Sequence, residues 1–120
     1  MTNQVDGFLP LAPATLHILL ALAGEALHGY GIMQEVARQS EGRYRLGPGT
    51  LYDNLQRLLK QRLVEEVEDP ADANSRRRCY RLNSLGRGVL SAEIARLEGV
   101  VKEARVKEAK WRRVPVPRRA

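Results

Sequence analysis

A chain of 120 residues is long enough for one domain with a modest core, and 43% hydrophobic against 28% charged residues describes a globular chain. Twenty basic residues against fourteen acidic ones leave a net charge of +6, which favours a polyanionic partner. The single cysteine, Cys79, excludes an intrachain disulfide and fits a reducing cytoplasm. The apolar stretch from Phe8 to Ala23 is too short and too interrupted to span a bilayer, and no basic segment precedes it as a signal peptide requires, so a cytoplasmic protein is expected.

In chain order, Met1 to Gly7 shows no periodicity and is expected to be loose. A first helix is predicted from near Pro13, with Leu16, Leu19, Leu20 and Ala23 as its inner face and Gly24 near its end. A second runs from about Gly29 to Ser40 and buries Ile32, Met33, Val36 and Ala37. Its Gly29-Tyr30-Gly31 start has the look of a dinucleotide loop, but no strand precedes it and the third glycine is missing. His17 and His28 have no second His, Cys or acid at metal-ligand spacing, so both read as ordinary polar positions and no metal is expected.

Gly42 to Gly47 forms the next turn. Its Arg43 and Arg45 are read as phosphate contacts, since such contacts come largely from flanking Arg and Lys and from helix N-termini; the plainer reading is an exposed basic loop. Pro48 then sits at a first helical position, where its missing N–H costs nothing. Leu51, Leu55, Leu58 and Leu59 make one apolar stripe, while Thr50, Asp53, Gln56, Arg57 and Lys60 fall on the opposite side with Tyr52 at the border. That outer face can donate, accept and carry positive charge. Gly47 and Gly49 remove side chains at the helix start, where a bare N-terminus can approach a phosphate closely.

Leu63 to Glu68 reads as a strand, Asp69 to Ser75 as a turn and Arg77 to Leu82 as a returning strand, so a hairpin follows the helix as in a winged helix. Glu65, Glu66, Glu68, Asp69 and Asp72 make the outgoing strand and tip acidic. Arg76, Arg77, Arg78 and Arg81 make the return basic, suited either to DNA or to cross-strand ion pairs on a solvated hairpin. Tyr80 and Leu82 are expected to face the core, and Cys79 the other way.

From Asn83, a good N-cap, a helix of about 25 residues is predicted to near Lys110. Leu90, Ile94, Leu97, Val101 and Ala104 recur at 4-3-4-3 spacing, a coiled-coil seam, with Leu85, Val89 and Ala92 flanking its start. Dimerisation through this seam is expected, against the alternative that Leu97 packs on the first helix of its own subunit. The seam continues in phase to Glu108 and Trp111 before Pro115 and Pro117 stop any helix. Residues 112–120, rich in arginine, are expected to be a disordered basic tail that adds nonspecific DNA affinity.

The segments HGYGIMQEV (His28 to Val36), PGTLYDNLQRLLKQ (Pro48 to Gln61), LVEEVE and RRRCYRLNSLG (Arg76 to Gly86) resemble the PadR-type transcriptional regulators, in the right order over about His28 to Leu97. The resemblance implies a dimeric winged-helix DNA-binding repressor whose effector varies between members. It also implies that Tyr52, in GTLY, faces or positions DNA, the alternative being that it packs beside Leu59. Three departures stand out: Gly47 replaces a common Ser cap, Asp53 a basic or neutral residue, and Arg62 the glycine that usually ends the helix. Asp53 would either orient Arg57 or accept from cytosine N4. Arg62 would strain a left-handed position by about 1 kcal/mol. Some relatives stack planar ligands on aromatic side chains at the dimer centre, which makes Trp111 a candidate effector contact; its plainer role is loose packing where the helix frays.

The expectation is therefore a mainly α fold with a small β-hairpin wing: a winged helix-turn-helix domain over 8–82, a C-terminal dimerisation helix over 83–111 and the tail. The expected function is a homodimeric transcriptional repressor on an inverted-repeat double-stranded DNA operator, with possible release by a small apolar or planar effector and no cofactor. The alternative is a winged-helix protein-interaction module whose basic charge is incidental. No nucleophile with a base, paired carboxylates or phosphate loop is present, so an enzyme is not expected.

Overall fold

The computed structural model describes residues 4–118. Helix α1 spans Pro13–Leu22 and β1 Leu27–His28; α2 spans Gly29–Gln39 and α3 Pro48–Lys60. Strands β2 (Val64–Val67) and β3 (Cys79–Leu82) follow, and α4 covers Ser84–Arg113. The three strands form one antiparallel sheet in the order β1-β3-β2. Pairing of Leu27 with Tyr80 and His28 with Cys79 ties the start of α2 to the returning wing strand. A two-residue strand of this kind has no detectable period, and the sequence signals only the hairpin.

The core lies where α1, α2, α3 and the root of the sheet meet, with Ile18, Leu19, Ile32, Val36, Leu51 and Leu55 fully buried. On α1 the buried residues are Ile18, Leu19, Ala21 and Leu22, whereas Leu20 is exposed and Leu16 half-buried, so the inner face is rotated from the predicted one. Almost every position of α1 is apolar, and its period therefore points nowhere in particular. Ile32 and Val36 of α2 are buried as expected, with Met33 and Ala37 at the margin.

Local chemistry sets each boundary. Pro48 opens α3 at its first turn, behind a Gly47 that supplies no side-chain cap. The helix closes in a Schellman turn: the Leu63 N–H donates to the Leu58 carbonyl and the Arg62 N–H to the Leu59 carbonyl. Arg62 is the left-handed residue of that turn, at φ 59°, as the missing glycine implied. Helix α2 ends the same way through Glu41 and Gly42. Asn83 caps α4, its Oδ1 accepting from the Gly86 N–H at 2.8 Å.

Cys79 is buried beside Tyr80 and Leu82 rather than turned outward, because β3 is the middle strand of the sheet. Burial, with Asp69 nearby, raises the thiol's pKa above its ordinary value, which suits an inert core position. The N-terminal segment is also more ordered than expected. Asp6–Phe8 forms a 3-10 turn, and Val5, Phe8, Leu9 and Leu11 pack on the core; Met1–Asn3 lie outside the described residues.

Helix α4 divides in two. Gly86, Val89, Leu90 and Glu93 are buried against the rest of the chain, and beyond them the helix is largely exposed. Leu90, assigned by its spacing to the intersubunit seam, is thus part of the chain's own core, while Leu97 is half-buried and Ile94, Val101 and Ala104 are exposed. The 4-3 period runs unbroken from one environment into the other, and a period alone does not say which partner covers each turn. The overhang makes the molecule elongated, with extents of 65 × 39 × 23 Å. Its radius of gyration is 18.1 Å, against about 14 Å for a compact chain of this length. The helix extends beyond the predicted end, so Arg112 and Arg113 are helical rather than part of a loose tail. No helix among the described residues is long and apolar enough to cross a membrane.

Candidate nucleic-acid interface

Helix α3 presents Gly49, Thr50, Tyr52, Asp53, Gln56, Arg57 and Lys60 to solvent and buries Leu51, Asn54, Leu55 and Leu58. The outer face is held at a fixed angle by a polar clamp on the inner one. The Thr15 hydroxyl of α1 donates to Asn54 Oδ1 at 2.9 Å, and Asn54 Nδ2 donates to the Thr50 carbonyl at 2.8 Å. Asp53 forms no ion pair with Arg57, so the orienting role considered for it is not part of this structure. Its carboxylate stands free on the same surface as the Arg57 and Lys60 cations.

The turn before α3 carries Arg43 and Arg45, both exposed on either side of Tyr44. Tyr44 anchors the turn: its ring stacks on His17 at a centroid distance of 4.5 Å and an interplanar angle of 13°, and its N–H donates to Ser40 Oγ at 3.0 Å. On the wing, Arg78 pairs with Glu66, and Arg81 donates to Glu65 at 2.6 Å. The cross-strand ion pairs are therefore present, and they leave Arg76 and Arg77 as the basic residues outside them. All three of Arg76, Arg77 and Arg78 are exposed.

Tyr52 does more than border the apolar stripe. Its hydroxyl rests against the Cα of Gly29, and a side chain at Gly29 would overlap it. This contact closes one wall of a cavity of about 370 Å³ between α2, α3 and the wing, lined by His28, Tyr30, Tyr52, Arg77, Arg78 and Tyr80. His28, read from the sequence as an ordinary polar position, and Tyr30, noted there only within Gly29-Tyr30-Gly31, both enter this surface. His28 is the N-cap of α2, its Nδ1 accepting from the Gly31 N–H at 3.1 Å, and Arg77 Nη1 lies 3.3 Å from its Nε2. A usable signal was the position of His28 directly before a glycine-rich helix start, where a capping side chain is expected.

The overhang of α4 bears a second surface. Ile94, Leu97, Glu98, Val101 and Lys102 line an open, mainly apolar groove of about 450 Å³, and Trp111 lies further along, 61% exposed. Among the described residues no group of three or more His, Cys, Asp and Glu side chains could hold a metal ion.

Three helices followed by a wing, with a polar, cationic outer face on the third, define the winged helix-turn-helix class. The sequence model of the Transcriptional regulator PadR-like family matches residues 18–92. The chain belongs to that family and is a transcriptional regulator rather than an enzyme. It is 36% identical over 92 residues to the transcriptional regulator Rv3488 of Mycobacterium tuberculosis, covering 77% of this chain and 82% of that one. Its fold matches a transcriptional regulator from Clostridium thermocellum with a TM-score of 0.65 at 20% identity, over 89% of this chain and 97% of the other. It also matches Bacillus subtilis PadR in complex with operator DNA with a TM-score of 0.60 at 18% identity, over 71% of this chain and 48% of that one.

Proposed function

We propose that this regulator is a homodimeric repressor that binds double-stranded operator DNA with inverted half-sites. The observation that carries the reading is the outer face of α3, where Thr50, Tyr52, Asp53, Gln56, Arg57 and Lys60 are all exposed on a helix whose inner face is locked into the core. A helix so presented reads base edges in the major groove, and Arg57 is suited to bidentate pairing with guanine. Arg43, Arg45, Gly49 and the wing arginines Arg76, Arg77 and Arg78 supply the phosphate contacts that fix its register. The operator bound to the Bacillus subtilis relative supports the same class of partner.

The dimer forms along the α4 overhang, through Ile94, Leu97, Val101 and Ala104. An exposed apolar stripe on a projecting helix is unfavourable in a lone chain, and a second copy covers it with two-fold symmetry. A planar or apolar effector, taken up between the subunits at Trp111, would release the operator. Its readout is the emission of the sole tryptophan: a spectrum unaffected by operator or by planar compounds rules that part out.

The test of the main reading is binding of the purified protein to the DNA upstream of its own gene, repeated over a range of salt. Affinity should fall steeply and linearly in log–log form as salt rises. Flat salt dependence, or no preference for that DNA over random sequence, would replace the repressor with a protein-interaction module.

A further inference from the structure

The contacts of His28 are incompatible with one another in a neutral ring, and the conflict points into the cavity beside α3. A neutral imidazole carries one N–H and one lone pair. The Gly31 N–H needs the lone pair on Nδ1, which places the proton on Nε2. Nε2–H then faces Arg77 Nη1 across 3.3 Å, and a guanidinium only donates. The other tautomer would satisfy Arg77 but strip the cap from α2. With the cap made, two donors face each other across 3.3 Å, and neither can accept from the other. The Tyr30 and Tyr52 hydroxyl-bearing rings line the same cavity. So does Arg78, whose partner Glu66 neutralises one of the two arginines and leaves Arg77 to supply the net positive charge.

We propose that this cavity is a phosphate clasp: His28 Nε2–H and the Arg77 guanidinium jointly hold one phosphodiester oxygen pair of the DNA backbone, with Tyr30 and Tyr52 as its walls. The inference rests on the DNA-binding reading above and adds residues of α2 to it. Three elements that surround DNA in this class, the helix before the recognition helix, that helix itself and the wing, all contribute to one concavity. The anion resolves the donor conflict, since it accepts from both groups at once and lets His28 keep its cap. A side chain at Gly29 would overlap the end of the Tyr52 ring, one wall of the clasp, and force it to shift.

The test separates capping from anion binding. In His28→Asp the carboxylate still accepts from the α2 N-terminus and is a strong cap, but it repels phosphate. That variant should melt at or above the wild-type temperature while losing affinity for promoter and random-sequence duplexes alike. Arg77→Gln, on the exposed wing, should lose about tenfold, the worth of one charge-assisted hydrogen bond, on both duplexes. Each variant should also flatten the slope of log affinity against log salt by about 1. Wild-type DNA binding with unchanged affinity and slope in both folded variants overturns the clasp and leaves the repressor reading intact. Absence of DNA binding in the wild type overturns both. If millimolar inorganic phosphate shifts the His28 ring resonances of the wild type while both variants bind DNA normally, the cavity takes a free anion and not the backbone.

Discussion

Glu93 is fully buried on α4, where it accepts from the Leu11 N–H at 2.9 Å and from the Arg96 guanidinium. The Arg96 hydrogen bond, helped by that of Leu11 and opposed by burial, holds its pKa below the ordinary 4.5. A depressed folded-state pKa means that the contribution to stability is full above the unfolded value and is lost as pH falls through the folded one. Glu93→Gln should therefore lower stability at pH 7 by about 1–3 kcal/mol, as expected for hydrogen bonds to a charged group. The gap in urea midpoint should close as the wild type is acidified through the depressed folded pKa; a gap that persists at still lower pH would mean that shape, not charge, matters. Arg62 offers the opposite case. It occupies the left-handed position of the Schellman turn at φ 59°, and Arg62→Gly should raise stability by up to about 1 kcal/mol in thermal melts; an unchanged or lower melting temperature would show that the turn is not strained. That strain was legible from the missing glycine. Asn54 and Glu93 were not singled out in the sequence, although both fall on the buried side of their helices, where a polar residue must find a partner inside the protein. What the spacing does not name is the partner, because Thr15 and Leu11 lie far away in sequence and arrive only through the fold.

At the scale of elements, the start and apolar stripe of α3 were readable because Pro48 and the four leucines are separate chemical markers, whereas its stop, at Arg62, lacks the usual glycine and was marked only through the family resemblance. Arg57→Ala on its outer face should leave the melting temperature unchanged while affinity for the operator falls, with loss of base discrimination of about 1–3 kcal/mol. Operator affinity unchanged from the wild type in both Arg57→Ala and Tyr52→Ala would remove α3 from the interface. The junction of β2 with α4 is less forgiving. A side chain at Gly86 would drive into the Leu63 carbonyl, which also accepts from the Asn83 N–H at 3.2 Å. Backbone has no rotamer to yield, so Gly86→Ala should cost about 1–3 kcal/mol in chemical denaturation; wild-type stability would show that the two elements can separate freely. The first strand escaped the sequence for a reason of scale: two residues are too few for a period, and Leu27–His28 becomes a strand only because β3 offers an edge. The inner face of α1 escaped for the reverse reason, since a nearly all-apolar helix carries too little contrast to show a face.

For the whole molecule, the decisive feature is the overhang of α4. Leu97→Arg should bury an unpaired charge in the proposed seam and give monomers in sedimentation, with tight operator binding lost and weak, salt-sensitive binding retained. A folded Leu97→Arg that still sediments as a dimer at micromolar concentration would move the interface elsewhere. The wild-type melting temperature should rise with protein concentration, because association stabilises only the folded chain. The same overhang has a mechanical consequence. From the last anchored turn at Glu93 to Arg113 the helix runs roughly 30 Å at 1.5 Å per residue, and it is gripped by its own subunit only at one end. It is a lever with its fulcrum at the Leu11–Glu93 bond. Tilting it by about 5° displaces the far end by roughly 2.5 Å, comparable to the helix shifts by which regulated proteins switch. In the proposed symmetric pair the tilt would act on both arms, so that a contact near Trp111 too small to deform either domain would change the distance between the two α3 helices.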